Sequence, residues 1–180
     1  MIQIKTVVDE STGEVVYNSE KKYSPFTDKG FTWRTKNYSV KQYQDVRLSE
    51  FVTDEREFAR IHKVAEYLYK DTNTVMIRES QRKVRYATIE DISKIIGLCE
   101  RRTLQFINKM KRMEIIAECK TQLGETEIIK FVINPLFFNC SKYLSADLYF
   151  TFQNTLNHYL PSWVITKFHE VGNIVNDRTQ

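Results

Sequence analysis

Apolar side chains between residues 88 and 113 recur at the three- and four-residue spacing that is typical of two short amphipathic helices. The first helix carries isoleucines on one face, Thr88 suits its N-cap, and Asp91 is placed to complete a capping box. Gly97 and Leu98 then supply a sharp turn. The second helix, residues 100–113, has an apolar face and a basic, polar outward face. This order predicts a helix-turn-helix.

Two strand-like runs follow, residues 115–121 and 127–133, with Gly124 between them as the best candidate for a turn with positive φ. A long helix over residues 54–70 and two short strands at 75–77 and 84–86 precede the pair of helices. We therefore expect an α+β fold, a winged helix-turn-helix over residues 51–135. A further hairpin is predicted over residues 2–17 as an N-terminal arm.

The C-terminal residues 136–180 place apolar side chains at steps of four, which is typical of an amphipathic helical extension. Pro161 should begin a second helix or kink the first. The extension either covers the back of the domain or pairs with a second subunit, and we expect a homodimer. The predicted dimerisation residues are Leu156, Leu160, Trp163, Val164 and Phe168.

Positive charge is concentrated near the second helix. The formal net charge is only +4, but residues 78–112 hold ten lysines and arginines against four acidic residues. Such a local excess is the footprint expected of a nucleic-acid binder. The alternative is a solvated helix face that happens to be basic.

The outward face of the second helix supplies the candidate DNA contacts, since base edges are read by polar side chains and phosphates by basic ones. The residues expected to read bases are Arg101, Arg102, Gln105 and Asn108. Those expected to contact the DNA backbone are Arg82, Lys83, Arg85, Lys109, Arg112, Lys120, Thr121 and Gln122.

Residues 1–50 also contain a segment, residues 30–46, in which aromatic and basic side chains alternate. This pattern suits a DNA arm that stacks bases, with Trp33, Arg34 and Lys36 as its candidates. The alternative, which we prefer, is that the aromatic side chains dock the segment onto the core.

The chain shows no pattern that points to catalysis. His62, His158 and His169 form no HxH pair, and there is no GxxxxGK, DxD or HExxH motif. We therefore expect no enzyme activity, no cofactor and no metal site. Three isolated cysteines, the lack of a signal-peptide pattern and the lack of a long apolar run favour a cytoplasmic protein that does not enter a membrane.

Several short stretches together resemble RepL-type plasmid replication-initiation proteins and related winged-helix proteins of phages. They are DESTGEVV at 9–16, GF at 30–31, GLCERRT at 97–103 and VINP at 132–135 followed by an aromatic run. The resemblance would extend from Asp9 to about Phe152, and it implies a DNA-binding protein without catalytic activity. Cys99 departs from the Ser or Thr usual at this helix start, and a thiol caps poorly.

These features lead to one hypothesis, a sequence-specific double-stranded DNA-binding protein in replication initiation or control of a plasmid or phage. Replication or transcription proteins are further candidate partners. A winged-helix transcriptional regulator would use the same helix and stays an alternative. A protein-interaction module is the second alternative, although its outward helix face would more often be apolar or acidic.

Overall fold

The computed structural model describes residues 2–8, 15–22, 26–27, 30–32, 46–80, 83–123, 126–141 and 143–177. Within these residues the fold is α+β, with seven helices and nine strands. The helices are α1 Leu48–Phe51, α2 Glu55–Ala65, α3 Ile89–Ile96, α4 Glu100–Arg112, α5 Ala146–Thr151, α6 Gln153–Leu156 and α7 Ser162–Asp177. The strands are β1 Ile2–Val8, β2 Val15–Lys22, β3 Phe26–Thr27, β4 Gly30–Thr32, β5 Met76–Arg78, β6 Val84–Tyr86, β7 Ile116–Leu123, β8 Thr126–Ile133 and β9 Tyr143–Leu144.

The strands form small antiparallel sheets rather than one large sheet. The described strands pair as β1–β2, β3–β4–β9, β5–β6 and β7–β8. The β7–β8 hairpin pairs from Ile116 opposite Ile133 to Leu123 opposite Thr126. The predicted hairpins at the N-terminus, at β5–β6 and at β7–β8 are therefore confirmed as pairs of strands, while Gly124 lies outside the described residues.

The turn between α3 and α4 follows the local chemistry of the sequence. Thr88 caps α3 and forms a capping box with Asp91, as predicted. Gly97 ends the helix in the left-handed conformation, φ 68°, where a residue without Cβ is favoured. Cys99 precedes α4 without a side-chain capping bond, which confirms that the thiol does not cap.

The predicted C-terminal end of the helix over residues 54–70, which is α2, was wrong. Asp54 caps α2 by accepting hydrogen bonds from the backbone N–H groups of Arg56 and Glu57, but the helix ends at Ala65 rather than at residue 70. Leu68 instead forms an antiparallel bridge with Val75. The turn between them is fixed by Asn73, whose buried side-chain amide donates to the carbonyls of Ile133 and Phe138. These long-range bonds compensate for the helical turn that is lost.

The C-terminal helices complete the core of the same chain. Pro161 immediately precedes α7, as predicted for a proline that starts a helix. Leu156, Leu160, Val164 and Phe168 all have exposed fractions of 9% or less and lie in one hydrophobic core with residues of α2, α3 and α4. Placing these four side chains at a subunit interface was therefore wrong, because their apolar surface is already buried within the chain. Trp163, at 48% exposure, is the member of the predicted set that faces solvent.

A polar contact joins the end of α4 to the C-terminal helices. Glu114, which has a positive φ of 53°, accepts hydrogen bonds from Asn154 Nδ2 at 3.0 Å and from the Thr155 hydroxyl. The hydroxyl of Thr155 and then the amide of Asn154 hold the pKa of the Glu114 carboxyl below its usual value. The backbone carbonyl of Glu114 also accepts a hydrogen bond from Asn134 Nδ2 at 2.9 Å, so the turn after α4 is held through both the side chain and the backbone of this residue.

Gly30 docks the N-terminal part of the chain against the C-terminal part. Its φ is 105°, and a Cβ atom at this position would lie 2.1 Å from the carbonyl oxygen of Leu144. Only glycine permits this approach of β4 to β9. The close contact places residues 30–32 on the body of the protein, whereas the candidate arm residues Trp33, Arg34 and Lys36 lie outside the described residues.

Candidate nucleic-acid interface

Helix α4 separates a buried face from a polar face. Thr103, Phe106, Ile107 and Met110 are buried. The four residues predicted to read bases, Arg101, Arg102, Gln105 and Asn108, are all exposed. At thirteen residues the helix is about 20 Å long.

The exposed surface of α4 has a central row with a flank on either side. Helical spacing aligns Arg101, Gln105, Asn108 and Arg112 along the centre, opposite the buried face. On the flank near β7, Lys111 pairs with Glu118 at 2.6 Å, and Leu104 is 46% exposed. The other flank carries Arg102 and Lys109 and faces α2.

A groove of about 390 Å³ lies between α2 and α4. The side chains that line it are Glu57, Arg60, Leu98, Arg102, Gln105, Phe106, Lys109 and Arg112. Four of these are cationic and one is acidic, so the lining has a net charge of three positive units. Glu57 pairs with Lys109 at 2.6 Å. Within the described part of the chain, the three arginines of the groove have no carboxylate oxygen within 4.0 Å.

Arg85, one of the predicted backbone contacts, is engaged in holding α3. Its Nη1 and Nη2 atoms donate to the two oxygens of Asp91 at 2.5 and 2.8 Å, and its Nε donates to Glu79 at 2.9 Å. These bonds, followed by those from Thr88, hold the pKa of the Asp91 carboxyl far below its usual value. Because two carboxylates already occupy the guanidinium, we assign Arg85 to positioning the start of α3.

The other residues predicted to contact the DNA backbone differ in whether they already form ion pairs within the chain. Lys83 is highly exposed and pairs with Glu79 at 2.7 Å. Lys120 pairs with Glu127 at 2.8 Å across the β7–β8 hairpin, and this partner raises its pKa. Thr121 is half-buried and Gln122 is exposed, whereas Arg82 lies outside the described residues.

A cation–π contact connects the β7–β8 hairpin to strand β6. Lys130 of β8 lies with its Nζ 4.9 Å from the centre of the Tyr86 ring on β6. Since β6 leads directly into Thr88 and α3, this contact helps to fix the hairpin relative to the two helices.

Sequence reasoning missed the contribution of α2 to the site. Glu57 and Arg60 are three residues apart and therefore project from neighbouring positions on one side of α2. That spacing was visible in the sequence. What the sequence lacked was any local signal that this side of α2 faces α4, because the two helices meet through α3, which packs against both.

The described residues show no group of three or more His, Cys, Asp or Glu side chains that could hold a metal ion. None of the helices in the described ranges is both long and apolar enough to cross a membrane. Comparisons of the chain with protein-family models, with curated proteins and with solved structures found no match in any of the three.

Proposed function

We propose that this chain is a sequence-specific double-stranded DNA-binding protein with a winged helix-turn-helix. In this proposal α3 and α4 are the two helices of the motif, α4 enters the major groove, and the β7–β8 hairpin is the wing. The observation that carries the proposal is the exposed row of Arg101, Gln105, Asn108 and Arg112 beside a groove of net positive charge. A helix of this width and length fits the major groove of B-DNA.

The side chains of the central row suit a division between specificity and affinity. Arginine donates two hydrogen bonds to guanine, and asparagine or glutamine makes a paired contact with adenine. We assign base readout to Arg101, Gln105 and Asn108, which lie about one helical turn apart. Arg102 lies on the flank that faces α2, so we assign it to phosphate rather than to base edges. Lys83 and Arg112 are assigned to phosphates, which fix orientation without reading sequence.

The biological role that we favour is replication initiation or control on a mobile element, acting as a homodimer. Control of transcription would use the same helix and the same contacts. Selecting the DNA fragments that the full chain binds, from element and host DNA together, separates the two roles. Enrichment of an origin supports replication, and enrichment of promoters supports regulation.

The test of base readout uses fluorescence anisotropy on the selected duplex and on a random duplex of equal length. Arg101→Ala or Asn108→Ala should lose about 1 to 3 kcal/mol on the selected duplex and much less on the random one. Lys167→Ala is the charge control, since it removes an exposed lysine from α7, far along the chain from α4. Equal losses on the two duplexes would contradict base readout.

The test of phosphate contacts uses the same assay over a range of salt concentrations. Lys83→Ala or Arg112→Ala should weaken both duplexes similarly and reduce the slope of log affinity against log salt by about one unit. If the wild-type chain bound no duplex in a salt-dependent manner, DNA binding itself would be wrong.

A further inference from the structure

We propose that the groove between α2 and α4 binds a phosphate oxyanion through Arg60, Arg102 and Arg112, and that Glu57 weakens this binding. The inference rests on the proposed function for the source of the phosphate, which we take to be the DNA backbone. In this proposal α2 takes part in DNA binding through Arg60 and Glu57, in addition to the residues that α4 contributes.

The chemistry of the lining selects the ligand. Each guanidinium presents a planar fork of donors that matches the oxygens of a phosphate, and arginine is more weakly hydrated than lysine. The three arginines reach the groove from two different helices, Arg60 from α2 and the others from α4. Within the described residues none of the three has a carboxylate partner, so their charge is available to an anion that enters.

The position of the groove favours the DNA backbone over a small anion. Arg102 and Lys109 lie on the flank of α4 next to the central row that would face the bases. When a helix lies in the major groove, its flanks approach the phosphates that border that groove. A duplex placed against the central row therefore brings a phosphate to the mouth of the α2–α4 groove.

Glu57 is the acidic side chain in a groove lining that otherwise carries positive charge. Its carboxylate is mostly buried and holds Lys109 at 2.6 Å, so this lysine is partly neutralised before DNA arrives. An incoming phosphate would be repelled by Glu57 and would compete with it for the ammonium group. Two opposite effects follow: removing the carboxylate should strengthen binding, and removing Lys109 should leave an unpaired carboxylate facing the phosphate.

The first arm of the test compares variants in duplex binding. Glu57→Gln should raise affinity about two- to five-fold, the range of one charge interaction that solvent partly screens, since the paired Lys109 is 47% exposed. Glu170→Gln is the matched control, since it removes an equally charged partner from a lysine pair on α7. Lys109→Ala should weaken binding more than Arg112→Ala. If Glu57→Gln and Glu170→Gln had the same effect, the role of Glu57 would be overturned.

The second arm locates the phosphate with duplexes in which one phosphate at a time is a neutral methylphosphonate. Wild-type affinity should fall at one or two positions, and Arg60→Ala should be insensitive at those positions only. Arg60→Lys should recover part of the loss, and thermal melting checks that each variant is folded. Equal sensitivity of wild type and Arg60→Ala at every position would overturn the assignment of the groove to the backbone.

The third arm uses inorganic phosphate alone, followed by NMR shifts of arginine side chains. Saturable shifts that Arg60→Ala abolishes, together with duplex binding that Arg60→Ala leaves unchanged, would support the oxyanion site and make a free anion its source. No effect of Arg60→Ala on either ligand would overturn the site. Because this arm needs no duplex, it separates failure of the groove from failure of DNA binding.

Discussion

Asp91 carries the most sharply defined polar contact at the start of α3, and replacing it should destabilise the fold. Its carboxylate accepts two hydrogen bonds from Arg85, at 2.5 and 2.8 Å, and two from Thr88, from the N–H and the hydroxyl, both at 2.8 Å. The Asp91 side chain is only 12% exposed. Asp91→Ala therefore leaves four donors without their acceptor.

The expected loss can be built from these contacts. The capping interaction contributes about 1 kcal/mol. The charge of the Asp91 carboxylate, which is only 12% exposed, contributes about a further 1 to 2 kcal/mol, kept small because water screens its attraction to the more exposed Arg85. We expect Asp91→Ala to lower the free energy of unfolding by about 2 to 3 kcal/mol, or the melting temperature by about 4 to 12 °C for a chain of this size. Asp91→Asn keeps an acceptor for Thr88 and should lose about half as much.

The loss should also depend on pH with a defined sign. The pKa of Asp91 is lowered in the folded state from an ordinary value of 3.8, so its stabilising effect is complete above that value. Protonation at lower pH removes the effect. The difference in stability between wild type and Asp91→Asn should therefore be constant from pH 7 to about pH 5 and shrink as the pH falls below about 4.

Urea unfolding followed by circular dichroism measures these differences at each pH. Glu90→Gln is the control, because Glu90 pairs with Lys94 on the same helix but both side chains are largely exposed. It should change stability by less than about 0.5 kcal/mol. The reasoning would be refuted if Asp91→Asn and Glu90→Gln were equally mild, or if the Asp91→Asn difference grew as the pH fell.

Three further predictions concern single positions. Gly30→Ala should lower stability by more than about 2 kcal/mol in urea unfolding, since its Cβ would meet Leu144, whereas Gly97→Ala, with open space around it, should lose only about 1 kcal/mol. If α4 reads the major groove, Leu104 is placed to contact a thymine methyl group, so replacing one thymine by uracil should weaken wild type in anisotropy but not Leu104→Ala. If the chain is a dimer in sedimentation, Trp163→Ser should weaken association, since about half of this large apolar side chain is exposed, and unchanged association of the folded variant would place the interface elsewhere.

The parts of the fold that the sequence predicted well depend on short-range chemistry. The capping box of α3, the turn at Gly97 and the poorly capped start of α4 each follow from residues within a few positions of one another. The β7–β8 hairpin follows from two alternating runs joined by a short turn. Such features can be predicted from the sequence because the interacting groups are also neighbours in the chain.

The parts that the sequence did not predict depend on contacts between distant segments. Residues 66–70 have helical composition. The bridge from Leu68 to Val75 and the bonds of Asn73 to carbonyls 60 and 65 positions away stabilise a turn there in place of a longer helix. Arg85 looked like a surface cation, and only the fold brings its guanidinium between Glu79 and Asp91. The α2–α4 groove was not predictable from the sequence for the same reason. It forms only when α3 packs against both α2 and α4.

The C-terminal stripe shows what an amphipathic pattern does and does not determine. Apolar side chains at steps of four require that one helix face be covered, but the spacing is the same whether the cover is another subunit or the chain itself. Here Leu156, Val164 and Phe168 are covered within the chain. Aspartate substitutions at Leu160 and Val164 would therefore place charges in the core and unfold the protein rather than test an interface. A homodimer that reads two half-sites must use a surface that the folded chain still exposes, which is why Trp163 is the position to change.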